Sequence, residues 1–130
     1  MPLIQIDVEH GHSAAHRRAI LDGVHAALVE CFKIPDCDRI QVLREHAAEN
    51  FDRPPRKSDR FTVVQIFAFA GRSREAKRDL FAAIVRNLKR APGIDPLDVL
   101  IVLCEPPCDN WGIRGGQQAS GIDLGFKVDV

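Results

Sequence analysis

The chain has 130 residues, of which 45% are hydrophobic and 28% charged, and this composition is typical of an ordinary globular protein. Lys and Arg together number 18, as do Asp and Glu, so the net charge is zero. That balance gives no electrostatic reason to expect nucleic acid or a membrane surface as a partner. The length predicts one domain that can bury a core without disulfides.

The start of the chain lacks the basic segment and long apolar run of a secretory signal, and no stretch is apolar enough to span a membrane. We therefore expect a cytoplasmic protein. Its cysteines are then predicted to be free thiols: Cys31, Cys37, Cys104 and Cys108. Cys104 and Cys108 have a loosely metal-like spacing, but no second pair accompanies them, so we predict no metal site.

The first part of the chain predicts a strand, a helix and a second strand. Leu3 to Val8 is an apolar, β-branched run. Ser13 can cap a helix with one apolar face, and Ile34-Pro35 should stop it. Arg39 to Glu45 then forms the second strand. Two strands joined through a helix predict a right-handed crossover and parallel pairing.

This pattern returns sixty residues later, which predicts an internal duplication. Matching pairs include Gln5 and Gln65, Ser13 and Ser73, Ile20 and Leu80, Leu28 and Leu88, Asp38 and Asp98, Val42 and Val102, and Glu45 and Glu105. The second set of elements is a strand from about Phe61 to Phe69, a helix from about Arg74 to Arg90, and a strand from about Val99 to Cys104. We expect one domain over residues 1–130, with halves of about 1–46 and 61–106 and a tail over 107–130.

Two fused βαβ units predict an α/β (α+β) fold in which a four-stranded sheet carries both helices on one face. Several strand runs are apolar on both faces, which favours burial of the open face by other subunits. We therefore expect an oligomer. His46 to Arg60 is predicted to be a surface loop, and Asp123 to Val130 a short edge strand.

Pro2 is the first candidate site residue. A Met followed by a small residue is normally removed, which would leave Pro2 with a free secondary amine. An α-amino group titrates near about 7.7 to 8.0, so such an amine can act as acid, base or nucleophile near neutral pH. The alternative is that Pro2 is an ordinary second residue.

A second candidate lies where the two halves differ. Arg72 and Arg74 flank Ser73, the predicted cap of the second helix, and the matching positions of the first half are His12 and Ala14. Two guanidinium groups beside a helix N-terminus are suited to bind a carboxylate or phosphate. The alternative is that both arginines are solvated surface residues.

Taken together, these residues resemble the tautomerase superfamily, and within it the malonate semialdehyde decarboxylase group. The resemblance spans essentially the whole chain and is carried by Met1-Pro2-Leu3, Ile34-Pro35 with Asp38-Arg39 and Gln41, Arg72 with Arg74, and Asp109 with Trp111. The chain departs from the decarboxylase pattern at Ile113, where an aromatic residue is expected, and in the loop from Asn50 to Asp59.

The resemblance implies a homotrimer, a small oxo acid as substrate and no cofactor. It implies that Pro2 is the catalytic amine and Asp38 its carboxylate partner. It further implies that Arg72 and Arg74 bind the substrate carboxylate, while Trp111 and Phe126 wall the pocket.

The residues leave the reaction open. A carboxylate at Asp38 favours a protonated Pro2 that could assist decarboxylation of a 3-oxo acid, whereas the arginines favour a neutral Pro2 that could tautomerise a ketone. A Schiff base or enamine through Pro2 is a third route. A hypothesis of another class is a non-catalytic βαβ module that binds a small anion or only assembles.

Overall fold

A computed structural model describes residues 2–130 of the chain. Met1 lies outside the described residues, so its predicted removal stays a prediction. The principal elements are β1 (Leu3–Glu9), α1 (Ala14–Phe32), β2 (Ile40–His46), β3 (Thr62–Phe67), α2 (Arg74–Arg90) and β4 (Val99–Cys104), followed by a small hairpin of β5 (Gly112–Ile113) and β6 (Gln117–Gln118). The first six begin and end within two residues of their predicted bounds.

Within residues 2–130 the sheet has four strands in the order β2-β1-β3-β4. β1 runs parallel to β2 from the pair Leu3 and Ile40, and β3 runs parallel to β4 from the pair Thr62 and Val99. The two units join at the centre, where β1 and β3 are antiparallel and Gln5 lies opposite Gln65. The predicted fold class, with two βαβ units sharing one sheet, is confirmed.

Both helices cover the same face of the sheet and form the main core with it. Ser13 and Ser73 cap them as predicted, each accepting a hydrogen bond from the backbone N–H three residues later. α1 ends at Phe32 because Lys33 adopts a left-handed conformation with φ of 56°. The fully buried side chains are mainly aliphatic: Ile4, Ile6, Ile20, Leu28, Ile66, Leu80, Ile84, Leu88 and Ile94, together with Phe32.

The opposite face of the sheet is open within this chain. Ile40 and Val42 of β2, and Leu100 and Val102 of β4, are each more than 40% exposed. These apolar side chains lie on the two outer strands of the sheet. The open face therefore has the character of an interface.

Asp7 of β1 also lies on the open face, and its charge is compensated inside the chain. Arg44 donates two hydrogen bonds to its carboxylate at 3.0 and 3.1 Å, and Nε2 of His46 lies 2.7 Å from Oδ1. Burial alone would raise the pKa of Asp7, but the hydrogen bonds from His46 and Arg44 outweigh it, and the net effect lowers the pKa. The carboxylate therefore does not prevent burial of this face.

The start of α1 contains a buried histidine, His16, whose ring is covered by the ring of His12. The rings of His12 and His16 stack with centroids 4.4 Å apart, and His16 is only 8% exposed. Burial lowers the pKa of His16, and the neighbouring His12, Arg60 and Arg17 lower it further. The stacking partner shields His16 from water, which sequence spacing does not reveal. Within residues 2–130 no cluster of His, Cys, Asp or Glu is suited to hold a metal ion.

Asp98, the counterpart of Asp38 in the second half, is engaged in local structure. It is buried, and it accepts hydrogen bonds from the backbone N–H of Ser58 at 3.2 Å and from the Ser58 hydroxyl at 2.5 Å. It thereby fixes the loop before β3 to the start of β4.

The predicted edge strand from Asp123 to Val130 is wrong. The described part of the chain after Cys104 instead forms the β5–β6 hairpin, two short 3₁₀ turns (Cys108–Asn110 and Ala119–Gly121) and irregular loops. A turn interrupts the expected strand, because the Asp123 side chain accepts a hydrogen bond from the N–H of Gly125, whose φ is 80°. The division of the chain into one domain with two halves and a tail stays a prediction.

None of the helices within residues 2–130 combines the length and the apolar character that a membrane crossing requires. The cytoplasmic location stays a prediction.

Candidate active site

The predicted site residues come from segments at one end of the sheet, and two of them, Asp38 and Phe126, line a common cavity there. β1 and β2 start there because they are parallel, and β3 and β4 end there because β3 runs antiparallel to β1. Pro2 is buried directly before β1. Since Leu3 pairs with Ile40, the residue preceding each strand lies at the same edge, which places Pro2 beside the segment that contains Asp38 and Arg39.

The loop that carries Asp38 is held from two sides. The backbone N–H of Asp38 donates to the carbonyl of Pro35 at 3.0 Å, which closes a turn. Nε2 of His25, a buried residue of α1, lies 2.8 Å from the carbonyl oxygen of Asp36. Asp38 itself is half-buried and faces a cavity. The helix therefore positions the strand-start carboxylate.

This cavity has a volume of about 310 Å³. Its walls combine apolar side chains with one carboxylate, one thiol and one guanidinium: Pro35, Cys37, Asp38, Phe69, Ile113, Arg114, Leu124 and Phe126. A mostly apolar wall with a few polar groups is the usual character of a small-molecule site.

Phe69 is the central side chain of the apolar wall. It is fully buried, its ring meets Trp111 edge-on with centroids 4.8 Å apart, and it stacks with Phe126 at 6.5 Å. Phe126 lines the cavity, whereas Trp111 packs behind Phe69 and donates its indole N–H to the carbonyl of Pro106 at 3.1 Å. The substrate-binding role of both residues stays a prediction.

Arg72 is a buried cation with free hydrogen-bonding capacity. It is only 5% exposed, its guanidinium lies 4.7 Å from the centre of the Phe32 ring, and Nη1 donates to the carbonyl of Phe69 at 3.1 Å. Nε and Nη2 are buried without a partner among the described residues. Burial lowers the pKa of Arg72, and the carboxylate of Glu105 partly opposes this effect. Unpaired donors on a buried cation favour an anionic ligand.

Arg74 has different surroundings. It is exposed at the first turn of α2, where it lines a separate surface depression with Lys77, Arg78 and Phe81. The side chains of Arg72 and Arg74 therefore do not converge within one chain, although both flank the Ser73 cap as predicted. A shared role in carboxylate binding stays a prediction.

The cavity residues that were not foreseen as functional from the sequence include Phe69 and Arg114. Phe69 was assigned to the end of β3, but the strand ends at Phe67, which releases Phe69 to face the cavity. An aromatic residue shortly before Gly71 and the arginine pair was the available signal. Arg114 gave no such signal, because its position depends on the β5–β6 hairpin.

Comparison with known proteins agrees with this architecture. A family profile described as tautomerase enzyme matches residues 38–114, and a second with the same description matches residues 2–56. The chain therefore belongs to the tautomerase superfamily.

Within the superfamily the chain groups with malonate semialdehyde decarboxylase. It is 35% identical in sequence to a malonate semialdehyde decarboxylase whose crystal structure was solved after inhibition by 3-bromopropiolate. The TM-score is 0.82, and the match covers 89% of this chain and 92% of that one. It is 26% identical to a fused 4-OT solved as a symmetric trimer, with a TM-score of 0.81 over 91% and 96% of the two chains. It is also 24% identical over 121 residues to the probable tautomerase YrdN of Bacillus subtilis (strain 168), covering 90% of this chain and 94% of that protein.

Proposed function

We propose that this protein is a cofactor-independent enzyme that uses the amine of Pro2, freed by removal of Met1, as a general acid or base on a small oxo acid. We further propose decarboxylation of a 3-oxo acid such as malonate semialdehyde as its main reaction. The observation that carries the proposal is the buried guanidinium of Arg72, whose Nε and Nη2 lack partners among the described residues. Arg72 follows β3 at the end of the sheet where β1 begins, and this position supports the proposal because Pro2 directly precedes β1.

In this mechanism Arg72 holds the substrate carboxylate while protonated Pro2 donates a hydrogen bond to the carbonyl oxygen at position 3. The bond between the carboxylate carbon and its neighbour breaks, carbon dioxide leaves, and the electron pair forms an enolate. Protonated Pro2 stabilises the charge that develops on oxygen, and its proton is then transferred to the enolate carbon and replaced from solvent. Asp38 favours the cationic amine that this role requires. Phe69 and Phe126 exclude water from the cavity.

Tautomerisation is the second candidate, which the similarity to a probable tautomerase supports. It requires neutral Pro2, which removes a proton from the carbon next to a carbonyl. The positive charge of Arg72 favours this neutral form, so Asp38 and Arg72 act on the amine in opposite directions. The two reactions are distinguished by the protonation state of Pro2.

Intact-mass spectrometry before and after treatment with 3-bromopropiolate, paired with turnover of malonate semialdehyde and phenylpyruvate, tests this function. We expect a mass that lacks Met1, one adduct that peptide mapping places on Pro2, and loss of turnover in proportion to the adduct. Cys37 is an exposed thiol on the same cavity, so Cys37→Ala should still acquire the Pro2 adduct. A retained Met1 in active protein, or full turnover by modified protein, would show that Pro2 is not the catalytic group.

We also propose that the chain assembles as a homotrimer through the open face of its sheet. The solved trimer of the fused 4-OT relative supports this assembly, as do the exposed apolar side chains of β2 and β4.

Replacing Val102 with Asp should dissociate the trimer, because a buried interface would then contain an unpaired charge. Sedimentation should show the mass fall from three chains to one. Leu97→Asp is the matched control, since Leu97 is 73% exposed and precedes β4. A wild-type protein that sediments as a monomer at micromolar concentration, or a trimeric Val102→Asp variant, would contradict the assembly.

A further inference from the structure

Residues 123–130, which we call the strap, cross the candidate site from one side to the other. Leu124 and Phe126 of the strap line the cavity that contains Asp38. Farther along, Val128 packs against Gly71, and the carbonyl of Val130 accepts a hydrogen bond from the backbone N–H of Ser73 at 2.8 Å. The strap thus connects the cavity wall to the loop that presents Arg72.

Arg114 holds the beginning of the strap. Its Nη1 donates to the carbonyl of Asp123 at 2.7 Å, and its Nη2 donates to the carbonyl of Leu124 at 3.0 Å. The two nitrogens belong to one planar guanidinium and bond to the carbonyls of two successive residues. The ammonium group of a lysine cannot reproduce this geometry. The contact lies two residues before Phe126, so it restricts where that ring enters the cavity wall.

The hairpin directs Arg114 toward the strap. Arg114 has a φ of 50°, and the following Gly115 and Gly116 have φ of 82° and 86°. The carbonyl of Arg114 also accepts a hydrogen bond from the Gln117 side chain at 3.0 Å. A left-handed backbone at a residue that is not glycine is uncommon, and here it presents the guanidinium to the strap.

The far end of the strap fits closely. Gly71 has a φ of 137°, and a Cβ atom there would lie 3.0 Å from Cγ1 of Val128. The absence of a side chain at Gly71 allows Val128 to approach the backbone just before Arg72. Movement of the strap would therefore displace both the aromatic wall of the cavity and the loop that presents Arg72.

We propose that Arg114 is a positioning residue that clamps the strap over the site and thereby sets which substituents the oxo acid can carry. The clamp itself rests on the hydrogen bonds above. Its effect on selectivity rests on the proposed function. With the strap held, Leu124 and Phe126 limit the cavity to compact substrates. With the strap released, the wall opens and larger substituents are accepted.

Arg114→Ala tests the clamp directly by two readouts that do not require turnover. We expect hydrogen exchange at the Ser73 amide to rise by roughly tenfold or more, because the bond to Val130 is lost when the strap is released. Trp111 is the single tryptophan of the chain and contacts Phe69, so its fluorescence should shift to the red. Arg114→Lys should fall between wild type and Arg114→Ala. Arg18→Ala, at an exposed arginine of α1, should leave both readouts unchanged.

The effect on selectivity is measured as the ratio of kcat/KM for a compact oxo acid to that for a phenyl-bearing one. We expect this ratio to fall in Arg114→Ala. It should also fall in Val128→Ala, which loosens the far end of the strap without changing a cavity residue. A change in Arg114→Ala alone would mean that Arg114 contacts substrate directly, which would overturn the positioning role.

Unchanged Ser73 exchange and Trp111 fluorescence in Arg114→Ala would overturn the clamp. Altered readouts with unaltered selectivity would overturn its role in specificity. If the wild-type protein turns over no oxo acid, the proposed function fails, while the exchange and fluorescence measurements still decide whether Arg114 holds the strap.

Discussion

Arg72→Ala is expected to lower kcat/KM for any oxo acid substrate by about a hundredfold or more, because it removes charge-assisted hydrogen bonds in a buried site. Arg72 is the buried cation at the Pro2 end of the sheet, and its Nε and Nη2 have no partner among the described residues. A substrate carboxylate would pair with these donors, so its affinity and orientation depend on them. Steady-state kinetics on folded variants measure the effect.

Arg74→Ala is the matched comparison for Arg72→Ala, since both residues flank the same helix cap. Arg74 is exposed and lies away from the cavity, so its loss should change kcat/KM by less than about fivefold. Arg72→Lys keeps the positive charge but not the planar set of guanidinium N–H donors, so we expect partial activity. Equal losses for Arg72→Ala and Arg74→Ala would mean that both bind substrate, as the family resemblance implies. Full activity in a folded Arg72→Ala protein would exclude Arg72 from the site.

Asp38→Asn is expected to move the pH dependence of turnover by about one unit or more toward lower pH, because the amine of Pro2 loses the neighbouring negative charge that favours its protonated form. If Pro2 acts as an acid, the alkaline limb of the profile moves to lower pH, and activity at neutral pH falls by up to about tenfold. If Pro2 acts as a base, the acidic limb of the profile moves to lower pH, and activity at neutral pH is kept or rises. The profile of kcat/KM against pH therefore also identifies the reaction.

The control for Asp38→Asn is the same change at its counterpart, Asp98. Asp98 is buried and bonded to Ser58, so Asp98→Asn should lower the melting temperature and leave the pH profile in place. An Asp38→Asn variant with an unshifted profile would show that Asp38 serves only the turn before β2.

The fold was largely predictable from the sequence because it rests on local patterns that occur twice. Ser13 and Ser73 cap the helices as their positions in the repeat predict, and alternating or continuous apolar runs mark the strands. Parallel pairing follows from the helical connection within each half. The antiparallel pairing of β1 with β3, with Gln5 opposite Gln65, was not fixed by local pattern, since it joins segments sixty residues apart.

The site was less predictable because its walls come from the irregular part of the chain. The register of β1 and β2 places Pro2 beside the segment that contains Asp38, which the βαβ pattern already implied. The environments of Arg72 and Arg74 could not be read from their spacing, since one guanidinium packs over Phe32 and the other is exposed. Arg114 acts across a turn that depends on left-handed backbone conformations, and the expected strand at Asp123 is absent for the same kind of reason.

The bond between Asp98 and Ser58 has a consequence for how a duplicated chain can evolve. An internal duplication begins with two equivalent ends, yet only the first half contains Pro2, and Thr62 at the matching position is fully buried with its hydroxyl bonded to the carbonyl of Arg60. At the second end, the loop before β3 is therefore fixed by its own hydrogen bonds, from Ser58 to Asp98 and from Thr62 to Arg60. Under the proposed function, which uses only the first end, relatives that share the chemistry are expected to differ more in this loop than around Pro2.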